Sequence, residues 1–162
     1  MSTYVSRHRV NRPIDEVFDV IGTRCFENHP KWEREVVEVR PLTPGPIGVG
    51  SRAVMVRQEY GRRQEVPYEV TDFTPPARIA FRHVGGQMLF EIAFELEAAG
   101  ATATDLAVRV RMDPRGAFRI MSPVLAMNLP RTSERITRSM VGLVEAEGVR
   151  PAGAVTPGTA PR

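Results

Sequence analysis

Among the side chains that could do nucleophilic or acid–base chemistry, this 162-residue chain has three histidines, one cysteine and three tyrosines. Cys25 precedes His29 by four residues. Nothing in the local sequence sets a base against the thiol, and a lone cysteine in such a segment reads as a small buried hydrophobe. Neither H-x-x-x-H nor C-x-x-C spacing occurs, so no metal centre is expected, and no cofactor. "GVGSRA", residues 48–53, has the form G-x-G-x-x-A. A loop precedes it and a strand follows, the wrong setting for a dinucleotide fingerprint, which needs a strand before and a helix after. His83 and Tyr68 remain. Alternation places both on the same apolar face as Phe81 and Val70. A buried imidazole or phenol needs a hydrogen-bond partner. Either the two bond to each other, to backbone or to water, or they meet a ligand's polar atom. In an enzyme, His83 would serve as a general base near neutrality and Tyr68 would polarise a carbonyl.

The elements that position these residues follow from hydrophobic period. "TYVSRHRV", 3–10, alternates as a strand. "RPIDEVFDVI" reads as a helix, with Pro13 in its first turn, acidic residues near its N-terminus and Gly22 at its end. "CFENHPKW" forms a short helix or turn around Pro30, and "EVVEVRPL", 35–42, is the second strand. Trp32, the only tryptophan, stands at the mouth of that strand, either closing one end of the core or facing a ligand. Hairpins follow. A two-residue turn at Gly85–Gly86 pairs Ile79 with Ile92, Phe81 with Phe90 and His83 with Met88. The next hairpin pairs Phe94 with Leu106, Ile92 with Val108 and Phe90 with Val110, leaving Arg78, Arg82, Glu91, Glu95, Arg109 and Arg111 on a solvated outer face. Around Tyr60–Gly61 two registers are open. One turns Ala53, Met55 and Arg57 inward with Val66 and Tyr68; the other turns Val54 and Val56 inward.

From Ser122 to Glu147 the period becomes helical, with a stripe of Leu125, Leu129, Ile136, Met140, Leu143 and Val144. Pro130 predicts a kink or a broken start. The domain spans 1–148, and "VRPAGAVTPGTAPR", 149–162, reads as a disordered Pro/Gly/Ala-rich tail. The net charge of +3 balances 22 cationic against 19 acidic residues, and the arginines are scattered. Neither a basic run nor aromatic interleaving points to nucleic acid. No apolar run is long enough for a membrane span, no secretory leader is legible, and one cysteine allows no internal disulfide, so a cytoplasmic location is expected.

These elements make an α+β fold: one curved, seven-stranded antiparallel sheet wrapped around a long C-terminal helix. "RPIDEVFDVI", "HPKWEREVVEVRPLTPGPIGVGSR" and "YEVTDFTPPARIAFRH" resemble the pattern of the SRPBCC superfamily, whose START-related, polyketide cyclase/dehydrase-like members have the helix-grip fold. The resemblance covers about residues 3–147 and rests on Trp32-x-x-x-Val36-x-x-Val39 with the Gly-bounded "GVGSR". It implies a cavity for a hydrophobic, lipidic or aromatic, small molecule. The residues expected to line it are Met55, Arg57, Val66, Tyr68, Phe81, His83, Met88, Phe90, Val110, Leu125 and Met140. Met55, Met88, Met112, Met121, Met127 and Met140 suit either an adaptable cavity or an ordinary core. Three functional readings stay open: binding without chemistry; a polyketide cyclase, aromatase or dehydratase using general acid–base catalysis; and an interaction module with the cavity collapsed.

Overall fold

The computed structural model describes residues 2–59, 61–86, 88–116, 120 and 122–147, the side chains of Ser122 and Leu125 excepted. Met121 and the tail expected from 149 lie outside them. Strand β1 (Ser2–Val10) leads into α1 (Ile14–Phe18), a π-helical turn (Asp19–Thr23) and α2 (Cys25–Trp32). Six strands follow: β2 (Val36–Pro41), β3 (Arg52–Glu59), β4 (Arg62–Thr74), β5 (Arg78–His83), β6 (Met88–Ala98) and β7 (Thr104–Pro114). Helix α3 (Ser122–Glu147) closes the fold. The strands form one antiparallel sheet in the order β1-β7-β6-β5-β4-β3-β2, gripping α3 as expected of a helix-grip protein.

Alternation decides the faces. Ile79, Phe81, Phe94, Val108 and Val110 are buried on the inner face. The hairpin of β3 and β4 takes the first of the two expected registers, pairing Ala53 with Tyr68, Met55 with Val66 and Arg57 with Gln64. Arg57 therefore points inward. The later registers differ from expectation by two residues. Ile79 pairs with Phe94 and Phe81 with Ile92, not Ile79 with Ile92 and Phe81 with Phe90. Likewise Phe94 pairs with Val108 and Ile92 with Val110. A shift of two keeps every side chain on its face, so the apolar pattern cannot separate these registers. The outer face does. The observed register sets Arg78 opposite Glu95 and Arg82 opposite Glu91, and Glu91 opposite Arg111.

The first helical segment also departs from expectation. In place of one helix ending at Gly22, α1 passes into the π-helical turn. A Cβ at Gly22 would lie 2.9 Å from the Phe18 ring, so glycine is what lets that ring pack on the turn. α2 is a full eight-residue helix that contains Pro30. Its fully buried Asn28 donates from Nδ2 to the Val20 carbonyl at 3.0 Å and accepts from Lys31 Nζ at 2.6 Å. That side chain ties α2 to the preceding turn.

On α3, Met140 and Val144 are buried, and Leu129, Ile136 and Leu143 pack against the core. The buried stripe is more polar than expected. Ser133 and Thr137 are buried too, and Thr137 Oγ1 donates to the Ser133 carbonyl at 2.8 Å. Pro130 lies inside the helix. Met127, grouped in the sequence reading with inner-face methionines, is 72% exposed.

Asn28→Ala removes both bonds and leaves the Val20 carbonyl without its side-chain donor. The expected loss is about 1–3 kcal/mol, read as a lower urea midpoint at unchanged slope.

Candidate functional site

Between the inner sheet face and α3, and capped by α2, lies a cavity of about 450 Å³. Its sheet wall includes Met55, Val66, Phe81, Met88, Phe90 and Val110, and α3 contributes Leu129, Ile136 and Met140. Arg57, Tyr68 and His83 also line it. Every side chain expected on the wall is therefore there except Leu125, whose side chain lies outside the described residues. The cavity is open, so the collapsed form assumed for an interaction module is not what the chain adopts.

Tyr68 and His83 are direct cross-strand partners on β4 and β5. They do not hydrogen-bond to each other. The Tyr68 hydroxyl is buried and without a partner. Its ring is wedged edge-on between Phe26 at 5.8 Å and Phe81 at 5.7 Å between ring centroids. Burial, with a smaller contribution from Cys25, pushes the phenol well above its ordinary value, so it stays protonated. Burial also lowers the His83 imidazole, against a hydrogen bond with the Met88 backbone that works the other way. The ring is thus neutral at pH 7 and able to accept a proton. Cys25 lines the cavity as a buried thiol pushed up to about 12 by burial, which suits a small hydrophobe and not a nucleophile.

The other polar group at the cavity was not foreseen. Glu33, just beyond α2, has only 7% of its side chain exposed. His29 Nε2 contacts its Oε2 at 2.9 Å, and Arg57 Nη1 donates to its Oε1 at 2.5 Å. Arg57 Nη2 donates to Glu59 at 2.6 Å. His29, Glu33, Arg57 and the cross-strand Gln64 all line the cavity. The available signal was the four-residue spacing of His29 and Glu33, which puts both on one side of a helical turn. Burial alone would raise the Glu33 carboxyl; His29 and Arg57 outweigh it and hold it below the ordinary range. Trp32, 3% exposed, stacks on His29 with centroids 5.4 Å apart and also lines the cavity. It closes the core and walls the cavity at once.

Because the Glu33 carboxyl is depressed when folded, its stabilisation is present above the unfolded value and is lost as pH falls through the folded one. Glu33→Gln is expected to lose about 1–3 kcal/mol at pH 7. The gap to the parent should close as pH falls below 4.5, the ordinary carboxyl value. Denaturant unfolding of both chains across pH 3–7 measures it.

No curated protein matches the chain significantly in sequence. Solved structures match its fold. A START superfamily protein from Mycobacterium smegmatis superposes with a TM-score of 0.74 at 16% identity, over 91% of this chain and 99% of that one. The Zhui aromatase/cyclase from Streptomyces sp. R1128 gives 0.73 at 17% identity, over 94% and 98%. The protein TTHA0849 from Thermus thermophilus gives 0.72 at 13% identity, over 90% and 98%. The family model described as polyketide cyclase / dehydrase and lipid transport matches residues 1–146. Matched by that model over nearly its whole length, and built as a sheet gripping one long helix, the chain belongs to the polyketide cyclase/dehydrase and lipid transport family of the SRPBCC superfamily.

Proposed function

We propose that this chain binds a hydrophobic small molecule, lipidic or aromatic, between the sheet and α3. The observation that carries the reading is the roughly 450 Å³ cavity itself, walled mainly by aliphatic, aromatic and methionine side chains. That volume falls within the range of drug-sized ligand pockets. Burial of the ligand's apolar surface drives binding at about 25 cal/mol per Å², set against the cost of association and ordering. Methionines at 55, 88, 112 and 140 line the space and can adapt to a guest's shape. Trp32 is the sole tryptophan and stands on the wall, so its emission reports occupancy. Titration with the neutral apolar dye Nile red should change Trp32 emission and raise dye fluorescence in a saturable way. Phe81→Arg, which puts a charge into the wall, should weaken that binding at least tenfold. A folded variant that still binds like the parent would mean that the dye sits elsewhere.

A second reading rests on the Tyr68–His83 pair. A protonated, unpartnered phenol and a neutral imidazole on adjacent strands of one cavity have the chemistry for general acid–base catalysis. In a cyclase, aromatase or dehydratase, Tyr68 would polarise a ketone while His83 takes the proton from the neighbouring carbon. The likeness to the Zhui aromatase/cyclase supports this at the level of fold. His83→Ala should then abolish conversion of a linear poly-β-ketone substrate, with circular dichroism unchanged. Equal product formation by parent and variant would remove His83 from any mechanism.

A further inference from the structure

Among the described residues lining the cavity, each permanent cation is already matched inside the protein. Arg57 holds Glu33 on Nη1 and Glu59 on Nη2. The second Glu33 oxygen is held by His29. Arg82, also at the wall, is held on the outer face by Glu69. One guanidinium thus serves two carboxylates. A carboxylate, sulfate or phosphate arriving there would be the third anion around one half-buried guanidinium, with only His29 beside it on Glu33. Like charges so placed disfavour one another strongly. Glu33 also cannot readily step aside by taking a proton, because its two partners favour the ionised form.

Farther along β4 the need is the reverse. Tyr68 lies four residues along β4 from Gln64, the cross-strand partner of Arg57, which is roughly 13 Å at strand rise. There the hydroxyl is buried without a partner. A buried donor lacking an acceptor is destabilising until one is supplied. The hydroxyl has almost no accessible surface in this structure, so a ligand carbonyl or hydroxyl oxygen reaches it by displacing an adjacent wall side chain, and then supplies the acceptor without bringing a charge.

We propose that the cavity selects an uncharged ligand: an apolar molecule whose carbonyl or hydroxyl oxygen accepts from Tyr68, with the Glu33–Arg57–Glu59 cluster excluding anions. The inference rests on the ligand-binding reading above and narrows its ligand class. Selection by exclusion as well as by attraction is how sites separate near-isosteric compounds.

The test is calorimetric titration at pH 7.5 with two matched pairs, 2-acetonaphthone against 2-naphthoate and 1-dodecanol against dodecanoate. In each pair the neutral member is expected to bind at least tenfold tighter. Tyr68→Phe should weaken 2-acetonaphthone several-fold and narrow that gap from the neutral side. Glu33→Gln should narrow it from the anionic side by tightening 2-naphthoate. Should that buried variant fail to fold, Glu59→Gln makes the same change at a side chain that is 39% exposed. A parent protein that binds the carboxylates as tightly as their neutral partners overturns the inference and leaves the ligand-binding reading standing. An unchanged ratio in both carboxamide variants overturns it too, because the carboxylates would then not be what excludes anions. If no member of either pair binds, the ligand-binding reading falls and takes the inference with it.

Discussion

A single α-helix is about 10–12 Å across with its side chains, and seven strands about 4.8 Å apart make a sheet nearly 30 Å wide. One helix cannot cover such a face, yet here one long helix and two short ones must. The sheet curls around α3, and the short helices fill in beside it, with Phe18, Ile21 and Cys25 buried in the common core. What remains uncovered becomes the cavity. The hole is therefore a result of matching a wide apolar sheet to a narrow partner. Bulges between Val36 and Glu38 and between Val70 and Asp72 sit in the strands on that side of the sheet. Bulges increase local twist and bend, and here they accompany the curl.

Faces were legible in the sequence because side-chain alternation has a period of two. Once Phe81 is inside, His83 and Val70 follow, and the wall of the cavity can be named residue by residue. Registers were less legible because a two-residue slip preserves that alternation. What distinguishes the observed pairing is charge on the solvent face, where Arg78 meets Glu95 and Arg111 meets Glu91. Each exposed pair is weak, so the signal was present but faint. Glu33 was harder still. In "KWEREVVEV" it looks like one more charge in a polar run. Only tertiary structure shows that β3 brings Arg57 against it. Ser133 and Thr137 were hidden differently: a helical stripe is recognised by its apolar members, and these two are polar residues that fill the gaps within it.

The buried polar groups in and around the cavity divide into those that are satisfied and those that are not. Asn28 and Glu33 sit in closed networks that fasten α2 to its neighbours. Their bonds rigidify the wall and carry no vacancy for a guest. Tyr68 is the contrast, held in place by aromatic edges with its hydroxyl unanswered. Trp32 joins the two regimes. It packs as a core residue, its ring lies on His29, and His29 in turn orients the carboxylate that occupies Arg57.

The pairing of β1 with β7 has a consequence for how the chain reaches this state. Strands β2 to β7 form a meander in which each strand pairs with the next in sequence. β1 alone must find a partner from the far end, Val10 opposite Thr104 and Ser2 opposite Met112. Closing a loop of that length carries roughly 3 kcal/mol more chain entropy than closing a hairpin. The meander is built from contacts between neighbours in sequence, while β1 pairs only across nearly the whole of it. β1 is thus the edge of the sheet whose pairing carries the largest loop-closure cost. Without β1 in place, β7 would be a sheet edge open to pairing with another chain.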